Sequence, residues 1–161
     1  MINHLVPFKK MLAQAFPEEP VPTRVVDSSN LYEPAKANKM LFGKKWSQLN
    51  LAELQSSWQD ISICGALPFL TSEAFKYYLP FFMLTSISGV NEQNTADIEM
   101  LMRMLGGDHS EAETPNYIRR NISSFSPAQT QVIGEFVRIA SKLYENSIPT
   151  NEFKNLFLRY A

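Results

Sequence analysis

A single compact all-α domain of six or seven helices is the fold that this 161-residue sequence predicts. Three observations lead there. Apolar residues recur three and four apart through most of the chain, the spacing of one helical face. Clear helix-start signals stand at Asn50, Thr71 and Ser126. Strand character is confined to two short stretches, TRVVDSS and YIRRNIS.

The elements follow in chain order. Asn3 caps a first helix that places Leu5, Phe8, Leu12, Ala15 and Phe16 at helical spacing. Pro7 falls near its first turn, where a missing N–H is tolerated, and Pro17 ends it. Residues 17–33 read as a proline-rich connector, because X-Pro steps favour extended backbone. A short helix is expected from Pro34 to Phe42, with Gly43 as its stop. Asn50 and Glu53 form a capping box that opens a helix with Leu51, Leu54 and Trp58 on one face. Gly65 and Pro68 break the chain beyond it.

The stretch LPFLTSEAFKYYLPFF, residues 67–82, is the most apolar part of the chain. Thr71 caps a helix there, and Glu73 lies in the first turn, where the helix dipole favours an anion. Phe75, Tyr78, Leu79 and Phe82 make one face, and Ala74, Tyr77, Phe81 and Leu84 much of the other. A helix that is apolar nearly all round belongs in the centre of a domain. Pro80 lacks the N–H that would bond the Lys76 carbonyl, so a kink or restart is expected at that point. Asn94 and Asp97 then cap a helix that buries Ile98, Leu101, Met102 and Leu105. An acidic loop follows at residues 106–117. Ser126, Pro127 and Gln129 give the cleanest start signal, for a helix burying Val132, Ile133, Phe136, Val137, Ala140, Leu143 and Tyr144. Thr150 caps a last short helix carrying Phe153, Leu156, Phe157 and Tyr160.

Composition narrows the function. The net charge is −1, without the basic excess of a general nucleic-acid binder. No charge-free apolar run reaches the roughly 18 residues of a membrane helix. The N-terminal residues lack the pattern of a secretory signal, and a single cysteine, Cys64, fits a reducing compartment. A cytoplasmic protein is the expectation.

Catalytic and metal motifs are weak. DHSEAE, residues 108–113, has the residue types of a metal cluster, but no second histidine lies three or four residues from His109. A solvated acidic loop is the plainer reading. Cys64 with His4 or His109 would make a nucleophilic dyad, yet Cys64 stands among Ile63, Ala66 and Leu67 and reads as inert core. No serine elbow, phosphate loop or dinucleotide fingerprint is present, so neither metal nor cofactor is expected.

FGKKWSQL, ALPFLTSEAFKYYLPFFML and FSPAQTQVIGEFVRIASKLYE occur in an order that resembles a family of small uncharacterised bacterial proteins, a domain of unknown function. Trp46, the block from Leu70 to Pro80, and the start from Phe125 to Gln129 carry the likeness. A segment from Val90 to Tyr117 departs from that pattern. The resemblance implies a soluble, intracellular bacterial protein and brings no catalytic residues with it.

The expected function is therefore a non-catalytic protein-binding module, of the immunity or antitoxin type. The alternative is an enzyme or small-ligand protein whose site gathers scattered residues such as His109, Cys64, Arg119 and Arg120. Charge is segregated: residues 36–45 hold four lysines and no acid, whereas residues 91–113 hold six acids and one arginine. The expected partner is a basic protein drawn to Asp108, Glu111 and Glu113 around a mobile, solvent-facing Gly-Gly turn. Tyr77, Tyr78 and Pro80 offer a second contact, an aromatic groove beside the proline.

Overall fold

The computed structural model describes residues 5–28, 31–57, 63–88, 92–148 and 150–160. Among them lie eight α-helices: α1 (Leu5–Ala15), α2 (Tyr32–Leu41), α3 (Leu51–Ser57), α4 (Ser72–Ser86), α5 (Glu92–Met104), α6 (Asn116–Ile122), α7 (Pro127–Leu143) and α8 (Thr150–Tyr160). Two 3-10 segments, Trp46–Gln48 and Ile63–Phe69, complete the regular structure. The all-α prediction holds, with one helix more than the upper expectation.

That extra helix is α6, cut from the strand-like YIRRNIS. Ile118 and Asn121, three residues apart, are both buried. The hydroxyl of Ser72 donates to Oδ1 of Asn121 at 2.7 Å, which ties α6 to α4. Tertiary burial on one face thus overrides the weak local preference of β-branched residues. The other strand-like stretch gives a single antiparallel bridge between Val26 and Leu70.

Helix α4 is central, packing against α1, α5, α6 and both 3-10 segments. It runs unbroken through Pro80, so the chain does not restart there. From Ala74 to Met83 every side chain except that of Lys76 is buried. Helix α7 packs on α1 and α8, and α5 packs on α8 and on the Ile63–Phe69 segment.

The caps show why these elements start where they do. Oγ1 of Thr71 accepts from the Ala74 amide at 3.1 Å, and its hydroxyl donates to the Arg24 carbonyl at 3.0 Å. Ser126 and Gln129 form the reciprocal capping box, and the Gln129 amide also donates to the Ala15 carbonyl of α1 at 3.2 Å. Oδ1 of Asn50 accepts from the Ala52 amide at 2.9 Å. Gly43, at φ +72°, closes α2 in the left-handed conformation that favours glycine.

Three boundaries and one buried face differ from expectation. Helix α2 begins at Tyr32, ahead of Pro34, which sits in its first turn. Gly65 and Pro68 lie within a 3-10 segment rather than breaking the chain, because Ile63, Cys64, Ala66 and Leu67 are all buried there. Helix α5 already includes Glu92, so Asn94 is helical rather than a cap. Phe157 of α8 is 37% exposed, off the buried line of Phe153, Leu156 and Tyr160. The expected cap Asn3 and the expected core residue Trp58 lie outside the described residues, as does His4.

Candidate binding surfaces

The Gly-Gly turn of the acidic loop is packed against α8. Gly106 and Gly107 are buried. Gly106 adopts φ +92°, and a Cβ there would lie 2.9 Å from Nε of Arg159, so only glycine leaves room for that side chain. The Asn155 amide donates to the Gly107 carbonyl at 2.8 Å, and the Tyr160 hydroxyl to the Leu105 carbonyl at 3.0 Å. Helix α8 therefore pins the Gly-Gly turn, and the expectation of a solvent-facing turn is corrected.

The three expected acidic contacts all face outward. Asp108 is paired with Arg103 at 2.7 Å, and Glu113 accepts from the Ser110 hydroxyl at 2.6 Å. Asp97 is not part of the surface, since it is buried and accepts from the Cys64 amide at 3.1 Å. Beside the loop, the Glu152 carboxyl is shifted upward by burial and by the neighbouring charges of Asp108 and Glu99.

The aromatic groove keeps one of its three expected residues. Tyr78 is fully buried, and its hydroxyl donates to the carbonyls of Leu41 at 2.7 Å and Lys44 at 3.0 Å. Pro80 is also buried. Both serve the core, where a central helix must be apolar on every side. Tyr77 alone lines a cleft of about 240 Å³ with Phe16, Pro20, Pro22, Glu73 and Lys76. Its hydroxyl donates to the Glu18 carbonyl at 2.6 Å, fastening the proline-rich connector to α4.

The scattered residues of a possible enzyme site do not assemble. Cys64 is fully buried, and its thiol is pushed well up, first by burial and then by Asp97. Its neighbours form an interior polar network: Sγ lies 3.9 Å from Oγ of Ser86, and the Tyr144 hydroxyl donates to the Ser86 carbonyl at 2.5 Å. His109 instead lines a surface cleft of about 260 Å³ with Ser110, Glu111, Asn155 and Arg159. Arg119 lines an adjoining cleft that also includes Glu111 and Arg159. Arg120 is exposed, and among the described residues no three His, Cys, Asp or Glu side chains gather to hold a metal.

One surface was not singled out as a site by the sequence. Tyr32, Lys36, Lys39, Met40 and Lys44 line a groove of about 540 Å³ along α2. Lys36 Nζ stands 5.8 Å from the centre of the Tyr32 ring. At the ends of α2, Leu31 is 65% exposed, Tyr32 72% and Phe42 56%. The lysine run was visible in the sequence; the exposure of the apolar residues beside it was not. Leu31 and Phe42 are the residues flanking a ten-residue helix, a position that sequence spacing assigns to neither face.

Among the described residues, no helix is long and apolar enough to cross a membrane. The model of a family of unknown function (DUF6714) matches residues 22–157. The match takes in the segment from Val90 to Tyr117 and leaves α1 outside. No curated protein matches, and no solved structure matches.

Proposed function

From the premise that the chain belongs to a family of unknown function (DUF6714), we propose that it is a non-catalytic protein-binding module whose contact surface is the lysine groove of α2. The observation that carries this reading is the exposure of Tyr32 in the groove beside Lys36, Lys39 and Lys44, with Leu31 and Phe42 exposed at the two ends of α2. Large exposed apolar side chains are the usual material of an interface core. Tyrosine adds a rigid anchor of the kind that dominates binding energy. The lysines would steer an acidic partner toward that anchor and set its orientation. In this reading the protein is a bacterial, cytoplasmic blocker of one acidic partner, in the manner of an immunity protein or antitoxin.

A second reading, a basic partner on the acidic face, is favoured by the raised Glu152 carboxyl. Glu99, Asp108 and Glu152 crowd around Arg103, and an arriving cation would relieve their repulsion. The two readings separate in one affinity-capture experiment from the native host. Wild type is compared with Tyr32→Ala/Phe42→Ala and with Glu99→Gln/Glu152→Gln. Loss of the bound protein only in the Tyr32/Phe42 variant supports the groove. Loss only in the second transfers the interface to the acidic face. A partner retained by both variants overturns both assignments.

A further inference from the structure

We propose that the cleft between Arg119 and Arg159 binds the oxyanion of a small ligand, a phosphate or a carboxylate. Four parts of the chain build this cleft of about 210 Å³: the end of the acidic loop through Thr114, α6 through Arg119, α7 through Thr130 and α8 through Arg159. It is separate in its residues from the lysine groove and does not depend on that reading.

Arg24, Arg103 and Arg138 each pair with a carboxylate. Among the described residues, Arg119 and Arg159 have no carboxylate within ion-pair distance. Their contacts are neutral and serve to fix their position. Nη2 of Arg119 donates to the carbonyls of Glu111 at 3.1 Å and Thr114 at 3.3 Å. Nη2 of Arg159 donates to Oγ1 of Thr114 at 2.8 Å. Thr114 thus holds both guanidinium groups at one place.

The Arg159 side chain is also held in place before any ligand arrives. Nε of Arg159 is buried and has no acceptor among the described residues. It packs against Gly106, where any Cβ would push it away. A charged group brought partly out of water without a counter-ion is costly, and an anion repays that cost. Two guanidinium forks in fixed positions suit the paired oxygens of phosphate and carboxylate. Thr130, which also lines the cleft, carries a hydroxyl for a third oxygen, whereas the Ser123 hydroxyl donates to the Arg120 carbonyl at 3.3 Å. Glu111 lines the cleft as well and opposes an anion, which supplies an internal control.

The test is calorimetric titration of the full chain with inorganic phosphate, and separately with acetate, at constant ionic strength set by chloride. Saturable one-site binding is expected. Arg119→Gln or Arg159→Gln should each weaken it about tenfold or more, because each removes a charge-assisted bond. Glu111→Gln should tighten it. Phosphate bound without acetate identifies a phosphorylated ligand; binding of both extends the site to carboxylates. Circular dichroism checks the fold of each variant. Should Arg159→Gln fail to fold, the exposed Arg119 and Glu111 variants decide. No saturable binding of either anion overturns the site, as does an affinity that the folded variants leave unchanged.

Discussion

Cys64 shows how burial settles chemistry at the scale of one residue. A thiol reacts as its thiolate, and removing it from water disfavours that charge. Here burial acts together with the negative charge of Asp97, and the weak contact to Ser86 opposes them only in part. Cys64 should therefore react very slowly with a thiol reagent in the native protein at neutral pH, and rapidly in denaturant. Time-resolved labelling followed by mass spectrometry reads both rates. Native labelling as fast as that of the denatured chain would mean that the thiol is accessible, and the inert reading would fail.

Between elements, the packing of α7 on α8 turns on Gly134. It lies in the middle of α7, where alanine would improve helix propensity by roughly 0.5–1 kcal/mol. A Cβ at that position, however, would stand 2.5 Å from the backbone oxygen of Tyr160 in α8. Backbone cannot swing aside as a flexible side chain does, and overpacking typically costs about 1–3 kcal/mol. The clash outweighs the propensity, so Gly134→Ala should lower stability by about 1 kcal/mol or more. The urea midpoint of the variant measures this; a midpoint at or above that of wild type would show that α8 yields freely.

For the whole molecule, the buried tyrosines set a limit on the alkaline side. The Tyr144 hydroxyl is pushed up to about 12 from 10.0, first by burial and then by Asp97 and Cys64. Tyr78 and Tyr160 are raised in the same direction, mainly by burial. In the unfolded chain these phenols lose their protons near pH 10, whereas the folded chain keeps them. Above that pH the unfolded state binds fewer protons, so stability falls as pH rises. The stabilisation is complete below pH 10 and lost through the window from 10.0 to about 12. Denaturant unfolding across that range should show a declining midpoint, with tyrosinate absorbance rising in step with unfolding. Ionisation of all six tyrosines ahead of unfolding would contradict it.

Local chemistry wrote three of the helix starts into the sequence, while those of α2 and α5 fell earlier than expected. Asn50, Thr71 and Ser126 cap as their spacing indicated, and Gly43 ends α2 in the left-handed conformation. The central place of α4 was legible too, because a helix apolar all round has only one stable environment. Those properties depend on neighbours three or four residues away. The candidate sites depend on distant ones. Tyr78 and Pro80 became core, and Tyr77 a cleft wall, because α2 and the connector fold over α4. The Gly-Gly turn became fixed because Asn155 and Tyr160 arrive from α8. Arg119 and Arg159 meet at Thr114 across forty residues of chain, as no motif spacing could indicate. Periodicity decides which side chains turn inward; only the packing of one helix against another decides which of the rest stand together at the surface.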